Sequence, residues 1–424
     1  MLPVLMLLIC LAQTSTSSPV NLENNACSHL LDYRVKSISR NCYHNPDVGA
    51  TTPEMIKRNG YGVESHDVTT DDGYILQIYR VISKQAGSNE KKQPVYLEHG
   101  ILLDSDAWTF VGERSLAYSL VDDGYDVWLG NQRGTPYSRR HETLKTTDLE
   151  YWDYNLDTVA VYDISASLNK VANETGMEGS IIYIGHSRGT TLIFMYAAEY
   201  PEETERLLKG IIALSPIAFF NPKPYIEFLL TIGPSLGKSL KALGIRVFFQ
   251  YPKTLKQFLE LICPSFPYFC EFIVFLVSGK LPQFMPEDLL NFFSHFPTSF
   301  AVNQAIQYSQ MNNADKFQKF DYGRTKNLEE YGQDTPPEYD LGKIKLPVYL
   351  LYGVNDIFIT GKSVKRVYDQ LGSEKKQILK IPVDNDKKED QFNHNDFFYA
   401  KNITTFLYEE MSKIMKDNLQ PNGQ

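Results

Sequence analysis

Ser187 sits within Gly185-His186-Ser187-Arg188-Gly189, with an apolar run before it and a helix-forming run after it. A serine hydroxyl is a weak nucleophile, and it attacks a carbonyl only when held exposed beside a base. A tight strand-to-helix turn does this, and the flanking Gly185 and Gly189 remove side chains that would clash in the turn. The backbone N–H of Arg188, at the start of the next helix, would face a developing oxyanion. Of eight histidines only His394 lies beyond His295, which nominates His394 as the base. Asp356, just past another apolar run, is the candidate acid, with Asp384 and Asp386 as alternatives. The chemistry these residues could perform is acyl transfer. His394 takes the Ser187 proton, Asp356 orients the imidazole, and water resolves an acyl-enzyme. No cofactor and no metal is required, and no cysteine has metal-ligand spacing with histidines.

Such residues need a frame, and the chain alternates short β-branched runs with helical stretches. This is the pattern of a mostly parallel sheet with helices on both faces. SHDVTT and YILQIYRV, around Asp71 to Gly73, read as an antiparallel hairpin. Six further strands are expected at 94–100, 125–130, 180–185, 210–216, 346–353 and 378–383. Helices are expected around 115–123, 157–175, 189–199, 361–371 and 403–415. Eight strands with Ser187, Asp356 and His394 in that chain order fit an α/β-hydrolase fold. A second oxyanion donor should then lie in the loop after the third strand, within LEHGILLDSDAW. Gly100 lets the backbone approach substrate there, and the N–H of Ile101 is the candidate donor. His99 precedes Ser187 in the chain, so its expected role is to fix this loop by a hydrogen bond.

The alternation breaks between roughly Ala218 and Phe300. That stretch is aromatic-rich, poor in strand patterns, and punctuated by Pro222, Pro224, Pro234, Pro252, Pro264 and Pro267. Several short helices follow from such punctuation. Residues 218–300 are therefore expected to form a cap or lid inserted into a core of 19–217 and 301–424, the rival reading being an ordinary second core layer. His295 lies in this stretch and is expected to pack there.

The first residues, MLPVLMLLICLA, are too short to span a bilayer and suit a signal peptide over 1–18. Cys10 would leave with it. Cys27, Cys42, Cys263 and Cys270 would remain, an even number suited to two disulfides. Three connectivities are possible, and nearness in sequence favours Cys27 with Cys42 and Cys263 with Cys270. Asn173 and Asn402 head N-x-S/T triplets and are candidate glycan acceptors. A net charge of −9 argues against a nucleic-acid partner and offers no attraction to anionic membranes. Lipid contact must come from apolar surface.

Several longer motifs carry a resemblance to the acid lipase family, the gastric and lysosomal lipases of animals and their insect relatives. They are GYGVESHDVTTDDGYILQIYRV, LEHGILLDSDAW, DVWLGNQRGTPYSRRH, EYWDYNLDTVAVYD, IGHSRGTT, KFQKFDYG with the later PPEYDL, and NHNDF. The resemblance runs from about Thr52 to Met415. It implies Ser187, Asp356 and His394 as the triad, Ile101 and Arg188 as oxyanion donors, and a lid that opens at lipid surfaces. It implies triacylglycerols and cholesteryl esters as substrates at an emulsion, droplet or membrane surface, often at acid pH. No obligatory protein partner is evident, and the expected location is extracellular, or alternatively lysosomal. Rival functions are a catalytically silent lipid-binding or storage relative, and an esterase for soluble or phospholipid esters. Two departures from the family pattern stand out. Arg188 replaces the usual glutamine, and its guanidinium is expected either to favour acidic or charged substrates or to pair with a nearby carboxylate. The polar run from Asp384 to Gln391 lengthens the approach to His394, and is expected to bulge into solvent.

Overall fold

The computed structural model describes residues 23–84 and 91–420; the expected signal peptide and Cys10 lie outside them. The frame is a single mixed sheet. Its strands are β1 (Gly62–Thr69), β2 (Tyr74–Ile82), β3 (Pro94–Glu98), β4 (Asp126–Leu129), β5 (Ile181–His186), β6 (Leu208–Leu214), β7 (Val348–Gly353) and β8 (Lys376–Ile381). They run in the order β8-β7-β6-β5-β3-β4-β2-β1, and a short ninth strand, Arg140–His141, pairs with β2. The hairpin β1–β2 is antiparallel as expected, β2 meets β4 antiparallel, and every pairing from β4 to β8 is parallel. β3, β4 and β5 are buried at every position. That explains their continuous apolar runs, since a parallel strand covered on both faces has no solvent side to mark with polar residues.

Helices cover both faces. The ones that matter for the site are α1 (Thr52–Arg58), α2 (Leu116–Asp122), α3 (Ser165–Thr175) and α4 (Arg188–Glu199). α1 begins at a capping box, with Thr51 and Glu54 satisfying one another's backbone N–H groups. α3 continues a π-helical turn at Val159–Ile164, so the stretch expected to be one helix is one interrupted helix. α4 is buried along all but its last residue, because it follows β5, a central strand paired on both sides.

Between β6 and β7 the chain leaves the sheet. It forms α5 (Pro224–Ala242), α6 (Pro252–Ile262), α7 (Pro267–Ser278), α8 (Leu289–His295) and α9 (Val302–Ala314). Prolines open α5, α6 and α7 at the first turn, where the missing N–H costs nothing. α8 is buried throughout and joins the core beneath the sheet's helices. α5, α6 and α7 instead leave large apolar side chains in solvent, among them Phe228, Leu261, Phe269 and Phe272. α10 (Gly361–Gln370) and α11 (Glu409–Asn418) complete the helical layers. Two disulfides, Cys27–Cys42 and Cys263–Cys270, staple the N-terminal segment and the α6–α7 corner. The pairing is the one favoured by nearness in sequence. Among the described residues no helix is long and apolar enough to cross a membrane.

Candidate active site

The turn between β5 and α4 holds Ser187 at φ 51° and ψ −112°, a region L-residues avoid. Holding it there costs about 1–3 kcal/mol, which the surroundings must supply. They do so through the backbone. The Ser187 N–H donates to the Leu214 carbonyl on β6 at 2.9 Å, and the Ser187 carbonyl accepts from the Thr190 N–H at 2.9 Å. The Thr190 hydroxyl adds a third bond to that carbonyl at 2.6 Å. Gly189 is required by contact, since a Cβ there would lie 2.5 Å from the Glu98 carbonyl oxygen at the end of β3.

His394 comes from the loop after β8. Its Nε2 lies 2.9 Å from the Ser187 hydroxyl and its Nδ1 lies 2.7 Å from Asp356 Oδ2. A carboxylate only accepts, so Nδ1 carries the proton and Nε2 is left to accept from Ser187. Asp356 follows β7, and its other oxygen accepts the Phe358 and Ile359 N–H groups at 2.8 and 3.3 Å. All three side chains are buried. The alternatives for the acid lie elsewhere: Asp384 and Asp386 are exposed, and Asp386 pairs with Lys380. The polar run from Asp384 to Gln391 is largely exposed apart from the buried Gln391, and it leaves His394 in register.

The NHNDF motif explains how the histidine is held. Asn393 Oδ1 accepts the N–H groups of Asn395 and Asp396, both at 2.9 Å. Asp396 returns the bond by accepting the Asn393 N–H at 2.6 Å. Burial pushes the Asp396 carboxyl up to about 8 despite that hydrogen bond. The His394 N–H donates to the Ser278 carbonyl at 2.9 Å, and Asn395 reaches the Ser278 hydroxyl at 2.9 Å. Thus α7 touches the His394 loop directly. Asn393, Asn395, Asp396 and Ser278 escaped the sequence reading; the asparagine-flanked histidine was the available signal. His186, beside Ser187, donates from Nε2 to the His394 carbonyl at 2.7 Å, and burial drives its pKa well below the ordinary value.

The loop after β3 comes close to Ser187. A Cβ on Gly100 would lie 2.8 Å from His186 Nδ1 and 3.2 Å from Ser187 Cβ. His99 fixes this loop: its Nδ1 donates to the Gly100 carbonyl at 2.9 Å while Nε2 accepts the Gln132 N–H at 3.2 Å. Burial, reinforced by the Arg188 charge, lowers His99 to about 3, so it stays neutral. Asn131 accepts the Ser105 N–H, and Gln132 donates to Glu98 and to the His99 carbonyl. Arg133 is clamped between Asp72 and Asp163. The segments LEHGILLDSDAW and DVWLGNQRGTPYSRRH therefore brace one loop. Ile101 follows Gly100 in that loop, half-buried, and Arg188 opens α4, where the first N–H has no intrahelical partner.

Of the two roles expected for the Arg188 side chain, pairing with a carboxylate is not the one found. Its guanidinium pairs with no carboxylate among the described residues and does not face solvent. It donates to Gln304 Oε1 at 3.0 Å and to the Gly100 carbonyl at 3.4 Å. The reason is direction: the side chain runs inward beneath the β3 loop toward α9. His295 packs as expected, and also bonds Asp106 at 2.9 Å and the Asp47 carbonyl at 3.0 Å. Asn173 stands exposed on α3, and Asn402 is half-buried before α11. No cluster suited to a metal ion occurs among the described residues.

Residues 52–112 match the family model described as a partial α/β-hydrolase lipase region, and residues 93–259 match that of the α/β hydrolase fold. The human protein named lipase member N is 33% identical over 380 residues, covering 88% of this chain and 92% of its own. Lipase 3 of Drosophila melanogaster is 32% identical, covering 86% and 92%. The chain belongs to the acid lipase family. The gastric triacylglycerol lipase of Rattus norvegicus, at 31% identity over 88% of this chain and 93% of its own, is another relative. A soluble variant of monoglyceride lipase from Saccharomyces cerevisiae shares the fold, with a TM-score of 0.51 at 14% identity over 88% of this chain and 98% of its own. This acid lipase relative is a carboxylic ester hydrolase. Its fold places β5, β7 and the loop after β8 so that one residue from each converges at the carboxyl ends of the strands, where open α/β sheets hold their ligands.

Proposed function

We propose that the protein hydrolyses carboxylic esters of neutral lipids, triacylglycerols foremost and cholesteryl esters next, with Ser187 as nucleophile. The observation that carries this reading is the unbroken relay Asp356–His394–Ser187, at 2.7 and 2.9 Å, beneath a turn that holds Ser187 at positive φ. His394 Nε2 removes the Ser187 proton as Oγ attacks the ester carbonyl, and Asp356 stabilises the imidazolium. The N–H groups of Ile101 and Arg188 receive the oxyanion. His394 then protonates the departing alcohol, and a water activated by the same imidazole releases the fatty acid.

A lipid substrate accounts for the insertion. Ser187 is 2% exposed, so substrate enters only after something moves. We assign that movement to 218–300, because α7 contacts the His394 loop on one side and shows solvent its aromatic side chains on the other. An apolar surface of this kind on a monomer marks an interaction site. The two disulfides suit an oxidising location, and we place the protein outside the cell, with the lysosome as the alternative.

The test compares emulsified long-chain triacylglycerol with a dissolved short-chain ester, for wild type and Ser187→Ala. Activity on the emulsion that vanishes in the variant is the expected result. Preference for the dissolved ester would overturn the lipid assignment, and a folded wild type inert on both would overturn catalysis itself.

A further inference from the structure

Arg188 carries a buried ionisable side chain directly after Ser187, and the mechanism above uses only its backbone N–H. Its exposure is 2%, and its Nε has no partner. An isolated guanidinium in such a place is costly, and burial lowers its pKa below the ordinary value. Glu98 is one carboxyl whose charge it feels, but burial pushes that group up to about 7 and it already accepts from Gln132 and Tyr96. No ion pair joins the two. A cation kept under these terms must act on something, and its donors fall on two oxygens, Gln304 Oε1 and the Gly100 carbonyl.

The second of these matters for chemistry. In a trans peptide the carbonyl of one residue and the N–H of the next point in opposite directions within one plane. The Gly100 carbonyl is drawn inward by the His99 Nδ1–H at 2.9 Å and by the Arg188 guanidinium at 3.4 Å. The Ile101 N–H must then point away from the guanidinium, in a loop whose Gly100 lies against Ser187. A positive charge at the carbonyl end also polarises the peptide and makes that N–H a stronger donor. Gln304 fixes the guanidinium from α9, so the loop after β6 supports the loop after β3.

We propose that the Arg188 side chain is a positioning residue of the oxyanion hole: it orients and polarises the Gly100–Ile101 peptide through its carbonyl, while its own backbone N–H supplies the other donor. This rests on Ser187 being the nucleophile. Residue 188 thus serves twice, once by its N–H and once by its side chain. The design contrasts with the charged-substrate role expected from sequence, since the guanidinium is turned away from solvent and spent on a backbone group.

The experiment uses wild type, Arg188→Met, Arg188→Gln and Ser187→Ala with a dissolved short-chain ester and an alkyl trifluoromethyl ketone. The ketone forms a tetrahedral adduct with the serine and reads oxyanion stabilisation directly. Directly deleting a donor to the oxyanion costs about 100- to 1000-fold, and weakening one through its peptide should cost less. Arg188→Met is expected to lower kcat about 10- to 100-fold with KM within about twofold. It should weaken the ketone by a matching factor. Arg188→Gln, which keeps a donor without the charge, should recover part of both. A structural role alone would change thermal stability and active fraction, leaving kcat per active site and ketone affinity intact, and that result overturns the proposal. So does a folded Arg188→Gln that matches wild type, together with an unchanged Arg188→Met. Residual activity in Ser187→Ala would overturn the nucleophile assignment itself, and is read separately.

Discussion

In the proposed mechanism Asp356 acts by fixing one tautomer of His394, and an asparagine in its place keeps the shape while losing that control. With Nδ2–H facing the ring, His394 Nδ1 must accept, Nε2 becomes protonated, and Ser187 loses its base. Asp356→Asn should therefore lower kcat by roughly 10⁴-fold with little change in fold, as measured by steady-state kinetics beside circular dichroism. Asp106 offers a second test in which stability is the readout. Burial by itself would raise this carboxyl, but His295, by charge and hydrogen bond, wins and holds it at about 2 against an ordinary 3.8. The folded value is the lower one, so the carboxylate's contribution is present above pH about 4 and is lost as pH falls through about 2. Removing one partner of a buried pair costs about 3–5 kcal/mol. Asp106→Asn should show a loss of that order in urea unfolding at pH 7, shrinking as the pH approaches 2. A gap that stays constant with pH would show that the lost shape, and not the lost charge, set the cost.

Elements decide what single residues can do, and the β5–α4 turn tolerates no added atoms. The Gly189 Cβ position lies 2.5 Å from a β3 backbone carbonyl, which cannot swing away as a side chain would. Gly189→Ala should cost about 1–3 kcal/mol by overpacking, and should lower activity further by tilting α4 and its N–H. Thermal melts and kcat on one preparation separate the two effects. The loop after β8 carries its own pH dependence. Asp396 rises to about 8 by burial, so its protonated form favours the folded state. That contribution is full below about pH 4 and is lost as pH climbs through about 8. Asp396→Asn should therefore gain on wild type in stability between those limits. Much of this frame could be read from sequence, because strands buried on both faces write continuous apolar runs and the nucleophile turn writes glycines beside a serine. What escaped was contact between distant segments. Arg188 meets Gln304 and His295 meets Asp106 across more than a hundred residues. No local pattern announces such meetings, so a guanidinium expected to meet a charged substrate or a carboxylate instead holds Gln304 and a backbone carbonyl. The end of the insertion was obscured similarly: α9 contributes Tyr308 and Met311 to the core and Val302 and Ile306 to a separate cluster, so its composition resembles neither cap nor core.

At the scale of the molecule, charge and apolar surface pull apart. A chain with net charge −9 is repelled by anionic lipid, so adsorption to a lipid surface must rest on area removed from water. On the proposed reading α5 and α7 provide that area side by side. The Tyr225 hydroxyl on α5 donates to the Leu276 carbonyl on α7 at 3.2 Å, which ties the two helices together. Phe228 and Phe272 are 63% and 52% exposed, so neither is needed for the fold, and exposed substitutions usually stay within about 0.5 kcal/mol in stability. Each buries on the order of 1.5–3 kcal/mol when it enters an apolar phase. Phe228→Ser with Phe272→Ser should then weaken binding to a triacylglycerol emulsion by roughly 100-fold or more, since every 1.4 kcal/mol is tenfold. Hydrolysis of a dissolved short-chain ester should remain near wild type, because neither ring reaches Ser187, His394 or Asp356. Raising salt should not weaken adsorption to a neutral emulsion, as it would if charge held the protein there. Adsorption and dissolved-ester turnover measured on the same double variant decide the matter. Equal losses in both would place these rings in the fold or the acyl site. Unchanged adsorption would move the lipid-facing surface away from α5 and α7, and with it the assignment of 218–300 as the part that opens.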